Sequence, residues 1–472
     1  MPKEYDLVVI GGGIGGYSGA IKAAKAGLNV ALVERDLIGG TCLNRGCIPT
    51  KAYLKSAQAI REFEGISEFG IETDAKYNVK FLKVKQRKEE IVGNLRNGVQ
   101  SLIKMNKIDY FQGEGSVLGT SIFTPKSGSV MIKPQGDADE IILTPKNVLI
   151  ATGSRPASLP NIPVDEKNIL TSNGILELEK LPKSIAIIGG GVIGVEWASL
   201  LHWMGVDVSI IEFQDRLIIN ESQKVSAQLK KEFEKQGIKI HLSTKVESVV
   251  IKDGLTKVTA EAGDKKIEID SEKVLMAVGR RPNVEDIGLE AANVDFDKHG
   301  IKVNEYYQTS AENIYAVGDV IPTLQLAHVA AAESELAIDK ILEKNVVPLE
   351  YENIPRGIYT YPEIASVGIT DGSDGHEGKA KHGQFDFKFN GKSMIMNESI
   401  GQVEVFSDKD SDDLIGVSIV GPHATDLISE PSLGIYLNAT PGELGSTVHP
   451  HPSLSEVIME AARDVDSNSL NK

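Results

Sequence analysis

The chain has 472 residues, 41% hydrophobic and 25% charged, with 46 glycines and only two cysteines. At roughly 100–200 residues per domain this length suggests about three domains, and the composition excludes a disordered chain, a collagen-like fibre and a disulfide-dense secreted scaffold. The net charge of −16 argues against a nucleic-acid partner, which needs a dominant basic patch.

The N-terminus shows neither a signal peptide nor an Arg/Ser-rich transit peptide. A strand-like run, Tyr5–Ile10, starts almost at once. A glycine turn, Gly11-Gly12-Gly13-Ile14-Gly15-Gly16, follows, then an Ala-rich helical stretch to Gly27 and a second strand over Asn29–Glu34. The basic run Lys83–Lys88 is followed at once by Glu89 and Glu90 and reads as a solvated helix face. The same grammar returns further on. Ile185–Ile188 reads as a strand and Gly189-Gly190-Gly191-Val192-Ile193-Gly194 as the turn. A helix then runs to Gly205, and Asp207–Ile211 is a strand ending in Glu212. No apolar stretch reaches the ~18 residues of a membrane span, so no membrane insertion is expected. A soluble protein of the bacterial cytoplasm is expected, with a mature organelle matrix as the alternative.

The register of the repeat is informative. Gly11/Gly189, Gly13/Gly191, Gly16/Gly194, Gly27/Gly205 and Glu34/Glu212 are all offset by 178. One GxGxxG is weak evidence. Two copies, each between strand and helix and each with an acid 18 residues beyond the last glycine, point to two dinucleotide sites. The first Gly permits the turn, the second lets backbone approach a pyrophosphate, and the third lets helix pack on strand. The helix N-terminus offers unpaired N–H groups to phosphate. Glu34 and Glu212 would accept hydrogen bonds from ribose diols. A carboxylate at 212 favours NAD over NADP, whose 2′-phosphate it repels.

Cys42 and Cys47 lie five apart, inside Gly39-Gly40-Thr41-Cys42-Leu43-Asn44-Arg45-Gly46-Cys47-Ile48-Pro49-Thr50-Lys51. Such residues on a straight helix are separated by ~7.5 Å along the axis and 140° around it, too far for a disulfide. Gly46 and Pro49 are residue types that would distort the helix. A bridge formed here would be local and labile. Two buried thiols are the alternative. A metal site is a further alternative, with His449 and His451 as extra ligands, but the spacing is not that of a zinc knuckle, and no metal is expected.

The cysteine run, the two fingerprints and the C-terminal His449-Pro450-His451-Pro452-Ser453-Leu454-Ser455-Glu456 together resemble the dihydrolipoamide dehydrogenases. These are the flavin-containing E3 components of 2-oxoacid dehydrogenase complexes, within the pyridine nucleotide–disulfide oxidoreductases. Ala151–Pro156, Ala277–Asn283, Tyr315–Asp319, Gln325–His328, Tyr361–Ala365 and Gly421–Thr425 are similar to further family landmarks, so the resemblance spans essentially the whole chain. The fold class it implies is α/β: two Rossmann-like domains, for FAD and NAD, plus a C-terminal α+β dimerisation domain. The FAD domain would comprise 1–150 and 278–348, the NAD domain 151–277 and the interface domain 349–472. Residues 371–384, rich in Gly, Asp and His, depart from the family's more helical stretch and read as a mobile surface loop.

The resemblance also implies roles. A Cys42–Cys47 disulfide would be the redox centre, with Cys42 attacked by substrate and Cys47 next to the flavin. Lys51 would sit near the flavin and pair with Glu196. His451, oriented by Glu456 and supplied by the opposite subunit of a homodimer, would be the base. FAD would contact Gly11, Gly13, Gly16, Glu34, Gly40, Thr41, Lys51, Gly115, Thr152, Gly153, Ser154, Asp319, Gln325, Leu326, Ala327 and His328. NAD would contact Gly189, Gly191, Ile193, Gly194, Glu196, Glu212, Val246 and Gly279. The reaction implied is oxidation of protein-bound dihydrolipoamide by NAD. The partners implied are lipoyl domains and the acyltransferase core of 2-oxoacid dehydrogenase complexes, or the glycine cleavage H-protein. Glutathione reductase is the nearest rival, but would carry basic residues where Glu212 stands. A non-catalytic assembly subunit is the rival of a different class, against which the intact Cys/His/Glu set speaks.

Overall fold

The computed structural model describes residues 3–74, 76–120, 128–136, 138–370 and 380–472. Strand Lys3–Ile10 pairs in parallel with Val30–Glu34 on one side and Ile141–Ile150 on the other. Its crossover is helix α1 (Ile14–Lys25). Val30–Glu34 pairs in parallel with Asp109–Val117, and Val130–Pro134 joins that strand to Ile141–Ile150 in an antiparallel meander. A strand from much later in the chain, Ile314–Ala316, completes the sheet in parallel beside Ile141–Ile150. Leu7–Ile10, Val30–Val33 and Val148–Ile150 are all buried. Such unbroken apolar runs belong to a parallel sheet covered on both faces.

Between Val30–Glu34 and Asp109–Val117 the chain makes three helices: α2 (Gly40–Arg45), α3 (Cys47–Glu64) and α4 (Phe81–Met105). The reading of Lys83–Lys88 as a solvated face is corrected at one position: Lys83, Gln86 and Arg87 are exposed, but Lys88 is not. Lys88 is only 6% exposed. It shares the buried stripe of α4 with Phe81, Val92, Val99 and Ile103, a spacing of seven and four that was visible in the sequence. Its Nζ reaches the Leu176 carbonyl oxygen at 3.5 Å and lies 5.8 Å from the Tyr53 ring. Burial pushes the Lys88 ammonium below its ordinary pKa.

The second sheet is wholly parallel. Its strand order is Lys239–His241, Asp207–Ile211, Ser184–Ile188, Lys273–Met276, Ile169–Leu170. Helix α5 (Val192–Trp203) follows Ser184–Ile188, as α1 follows Lys3–Ile10, and α6 (Gln223–Gln236) precedes Lys239–His241. A three-stranded antiparallel meander over Thr244–Ser271 is appended. Two short strands, Ser154–Pro156 and Arg280–Pro282, pair where the chain enters and leaves this region. Helix α7 (Ala327–Ile341) then packs on α1.

The remaining sheet is antiparallel, ordered Arg356–Ile358, Ile364–Gly368, Leu414–Val420, Gln402–Asp408, Ala380–Asp386. The expected loop over 371–384 is therefore corrected in part. Ala380–Gln384 belongs to an edge strand, paired along its length with Gln402–Asp408, while 371–379 lies outside the described residues. Among the described residues no helix is long and apolar enough to cross a membrane.

Candidate active site

The two glycine turns have almost the same construction. In the first, Gly11 has φ +106°, and a Cβ there would lie 2.2 Å from the Ala151 carbonyl oxygen. In the second, Gly189 has φ +112°, and its Cβ would lie 2.3 Å from the Ala277 carbonyl oxygen. Each forms the tight turn between neighbouring strands. A Cβ on Gly16 or Gly194 would come within 1.8 or 2.0 Å of the carbonyl oxygen of Gly11 or Gly189, so helix and turn can touch only without a side chain.

The middle glycines differ from these. Gly13 and Gly191 have φ −70° and −75°, open to any residue. A Cβ on Gly191 would meet nothing within 4 Å, and on Gly13 only the Gly40 Cα at 3.8 Å. Nothing in the chain itself demands glycine there. A ligand lying against the backbone would. Neither α1 nor α5 has a side-chain cap at its N-terminus, so the first-turn N–H groups are available to phosphate. The donor set therefore fits two dinucleotides.

The acids are fixed in matching ways. Glu34 accepts the Gly12 N–H at 2.6 Å and the Asp36 N–H at 2.7 Å. Glu212 accepts the Gly190 N–H at 2.5 Å and the Gln214 N–H at 2.7 Å. Each carboxylate is anchored at the rim of its turn with lone pairs to spare for a diol. Gly115 packs against Ile10 and Val33 beneath the first turn. Ile193 is half-buried, Val246 is buried in the core beside Ile188 and Ile211, and Gly279 has φ +106° at the end of the second region.

The cysteines lie beside the first turn. Helix α2 ends at Arg45, Gly46 breaks the path with φ −135° and ψ −110°, and α3 restarts at Cys47. The break does what the straight-helix argument required and brings the two thiols close enough to shift each other's pKa. Pro49 sits in the first turn of α3, where a missing N–H is tolerated. Both thiols are free, and their environments are unequal. The hydrogen bond from Cys42 pulls the Cys47 pKa down. Lys51 adds to this against opposition from burial and Glu196, and the result is about 7. The same hydrogen bond, with burial, pushes Cys42 up. Of the two sulfurs, Cys47 is the one whose charged form is favoured.

Lys51, one turn along α3, donates to both oxygens of Glu196, at 2.8 and 2.7 Å. Glu196 is 4% exposed on α5 and also accepts the Tyr359 backbone N–H at 3.0 Å. The Tyr359 ring lies 4.5 Å from Lys51 Nζ. Burial disfavours the lysine charge, but Glu196 and Cys47 outweigh it and hold its pKa above normal. Three parts of the fold meet at this pair: the cysteine helix, the helix of the second turn, and the antiparallel region.

A second half-buried cation was missed at the sequence level. Arg280 donates through Nε to Ser154 Oγ at 2.7 Å, and its NH2 group reaches the Ser154 carbonyl at 2.9 Å and Thr41 Oγ1 at 3.4 Å. Ser154 in turn donates to Asp319, which lies 3.6 Å from Arg280 Nε. Thr152 and Asn283 exchange hydrogen bonds at 2.9 Å, and the Asn283 N–H donates to the Gly153 carbonyl. Arg280 stands directly after Gly279 in a segment that the sequence marks only as a family landmark. Its partners are long-range, so no local pattern announces it. Leu326 and Ala327 open α7 after Gln325, and His328 Nε2 lies 2.9 Å from the Pro355 carbonyl oxygen.

His451 and Glu456 come together as expected from their spacing. His451 Nδ1 lies 2.9 Å from Glu456 Oε1, and Glu456 Oε2 accepts the Ser453 N–H at 2.8 Å. Partial burial would raise the Glu456 pKa, but these two bonds outweigh it and hold it below the usual range. The His451 side chain is 79% exposed. Among the described residues no hydrogen bond or ion pair joins it to either cysteine. His449 is different: its ring is buried and bonded at both nitrogens, to Glu430 at 2.7 Å and the Thr447 carbonyl at 2.8 Å. Among the described residues no group of three or more His, Cys, Asp or Glu could hold a metal ion.

Residues 5–334 match the family described as pyridine nucleotide-disulphide oxidoreductase, and residues 354–462 match the dimerisation domain of the same family. The chain is 44% identical to a dihydrolipoyl dehydrogenase of Bacillus subtilis, over the full length of both. It is 39% identical to one of Chlamydia pneumoniae, over 98% of this chain and 97% of the other. Among solved structures, LpdA of Mycobacterium tuberculosis superposes with a TM-score of 0.89 at 25% identity, covering 98% of this chain and 99% of that one. A flavoprotein disulfide reductase of Escherichia coli, RclA, superposes at 0.86 and 26% identity, with the same coverage. Two matched nucleotide turns, a poised cysteine pair and these likenesses over the whole length agree: the chain belongs to the pyridine nucleotide-disulphide oxidoreductases.

Proposed function

We propose that the chain oxidises a protein-bound dihydrolipoyl group to its cyclic disulfide and delivers the two electrons to NAD. The observation that carries this reading is the unequal cysteine pair beside the first nucleotide turn. In the oxidised enzyme a substrate thiolate attacks the Cys42 sulfur. The Cys42–Cys47 bond breaks, a mixed disulfide forms, and Cys47 leaves as a thiolate. Leaving-group sulfur with a low pKa leaves faster, and Cys47 has the lower pKa of the two. The second substrate thiolate then attacks the substrate sulfur of the mixed disulfide, closes the lipoyl ring and releases Cys42. Two protons leave the substrate, and two electrons remain on the cysteine pair.

His451 takes the proton from the attacking thiol, since an imidazole has an unperturbed pKa near working pH, and Glu456 orients it. Lys51 favours the negative charge on Cys47, and Glu196 holds Lys51 in place. The first turn, Glu34, Thr41, Ser154 and Asp319 would hold FAD, which when bound would supply the two-electron carrier between dithiol and nicotinamide. The second turn would hold NAD. Glu212 accepts from its ribose and discriminates against a 2′-phosphate.

The working form is a homodimer. His451 is exposed and lies apart from the cysteines of its own chain in the hydrogen-bond network, while Tyr436, Leu437 and Val448 nearby present apolar surface to solvent. A second copy covers that surface and brings His451 to the opposite cysteine pair. The physiological substrate is a lipoyl domain of a 2-oxoacid dehydrogenase complex or of glycine cleavage, and the compartment is the cytoplasm. The test is NAD reduction by dihydrolipoamide, compared with NADPH-driven reduction of glutathione disulfide by the same preparation. Activity in the first and none in the second is expected; the reverse would reassign the enzyme.

A further inference from the structure

Helix α7 carries a carboxylate that the mechanism does not use. Glu333 is 0% exposed. Its Oε2 accepts the backbone N–H of Gly318 at 2.6 Å, the residue just before Asp319. Its Oε1 accepts the hydroxyl of Thr323 at 2.7 Å, four residues after Asp319. One side chain therefore grips the Asp319 turn on both sides. Oε1 also accepts the hydroxyl of Tyr351 at 2.7 Å, and the Tyr307 hydroxyl lies 3.2 Å from that of Tyr351.

Tyr351 opens a short 3-10 turn, Tyr351–Asn353, on the segment leading into the antiparallel sheet. The same segment is tied to the start of α7 by the contact between His328 and the Pro355 carbonyl. Among the described residues every hydrogen bond to Glu333 comes from a neutral donor. A buried carboxylate without a cation is costly and persists where its donors are arranged for it. An apolar residue at 333 would free the α7 position of that cost but leave the Gly318 N–H without its acceptor.

We propose that Glu333 and Tyr351 are positioning residues for the flavin. Glu333 fixes the turn that presents Asp319, and Tyr351 couples that turn to the segment entering the dimerisation domain. The inference rests on the assignment of Asp319 to the flavin site. It assigns flavin retention, rather than fold stability alone, to a carboxylate outside the residues assigned to the flavin.

The test uses the full-length protein as wild type, Glu333→Gln and Tyr351→Phe. Each is stripped of flavin and titrated with FAD, with the dimer followed by light scattering and the melting temperature of the apoprotein by circular dichroism. Gln keeps the shape but turns an N–H2 group toward a cluster of donors, so FAD affinity falls about tenfold or more. Phe keeps the ring and removes one donor, so affinity falls about threefold. Both variants remain dimeric. FAD affinity within twofold of wild type in both folded variants overturns the proposal. So does a fall in apoprotein melting temperature with unchanged FAD affinity, the mark of a merely structural role. If Glu333→Gln does not fold, Tyr351→Phe decides alone. If wild type itself takes up no FAD, the flavin site is misassigned, and the failure lies there instead.

Discussion

In the first nucleotide turn a Cβ on Gly40 would lie 2.5 Å from the Gly13 Cα, so the chain that follows Glu34 closes tightly over the turn. In the second, Gly191 faces open space. The two halves are otherwise close copies: Gly39 donates to the Gly12 carbonyl and Ile218 to the Gly190 carbonyl, each at 2.8 Å. After that contact they diverge. The first half enters α2 and α3, which carry both cysteines. The second runs on to α6, which begins only at Gln223. The same turn thus leads into two different surroundings. A covered turn suits a cofactor that stays, and an open one suits a co-substrate that exchanges every cycle. The helices that carry the cysteines are the cover itself.

Substitutions separate the two halves. The largest effect belongs to the covered half: Cys47→Ser should lower dihydrolipoamide–NAD turnover by more than about 10⁴, the scale of losing one member of a catalytic unit, with flavin content unchanged. His451→Gln should cost about 10²–10⁴ in the same assay, as loss of a general base does, and also leave flavin in place. Unchanged turnover would remove His451 from the mechanism.

A crossed pair sharpens the contrast between the halves. Gly191→Ala should raise the KM for NAD about tenfold while the protein keeps its flavin, and Gly13→Ala should weaken flavin about tenfold with little change in that KM. Both alanines fit the backbone, so each loss must come from the ligand side. If either substitution weakened both ligands equally, the two turns would not be separate sites.

The smallest effect is on a titration. Cys47 has a depressed pKa, so its thiolate is present above about pH 7 and lost below it. Alkylation of the reduced enzyme by iodoacetamide should follow that midpoint. Lys51→Met removes the nearby cation, so the midpoint should rise, by about one pH unit. A midpoint that stays put would show that Cys42 alone sets it.

The shared construction of the halves was legible in the sequence because strand, glycine turn, helix and strand have local periods, and an offset of 178 aligns them residue by residue. The differences were less legible because they are long-range. Tyr359 meets Glu196, and Arg280 meets Thr41, across 163 and 239 residues. Lys88 was misread because its charge outweighed its place in the stripe of Phe81 and Val92. Ala380–Gln384 was misread as loop because strand pairing with Gln402–Asp408 overrides a Gly- and His-containing composition. Glu333 left no mark, since a glutamate inside a helix looks like any solvated residue until its donors are known.

If the only two thiols of the chain carry the electron pair from substrate to NAD, counting free thiols follows that pair through one cycle. Under anaerobic conditions the oxidised, folded holoenzyme is titrated with a thiol reagent, then after excess dihydrolipoamide and gel filtration, then after NAD. The account predicts none, then two, then none again per chain, the two being Cys42 and Cys47. Thiols that stay titratable throughout, or that NAD fails to restore to the disulfide, would contradict it.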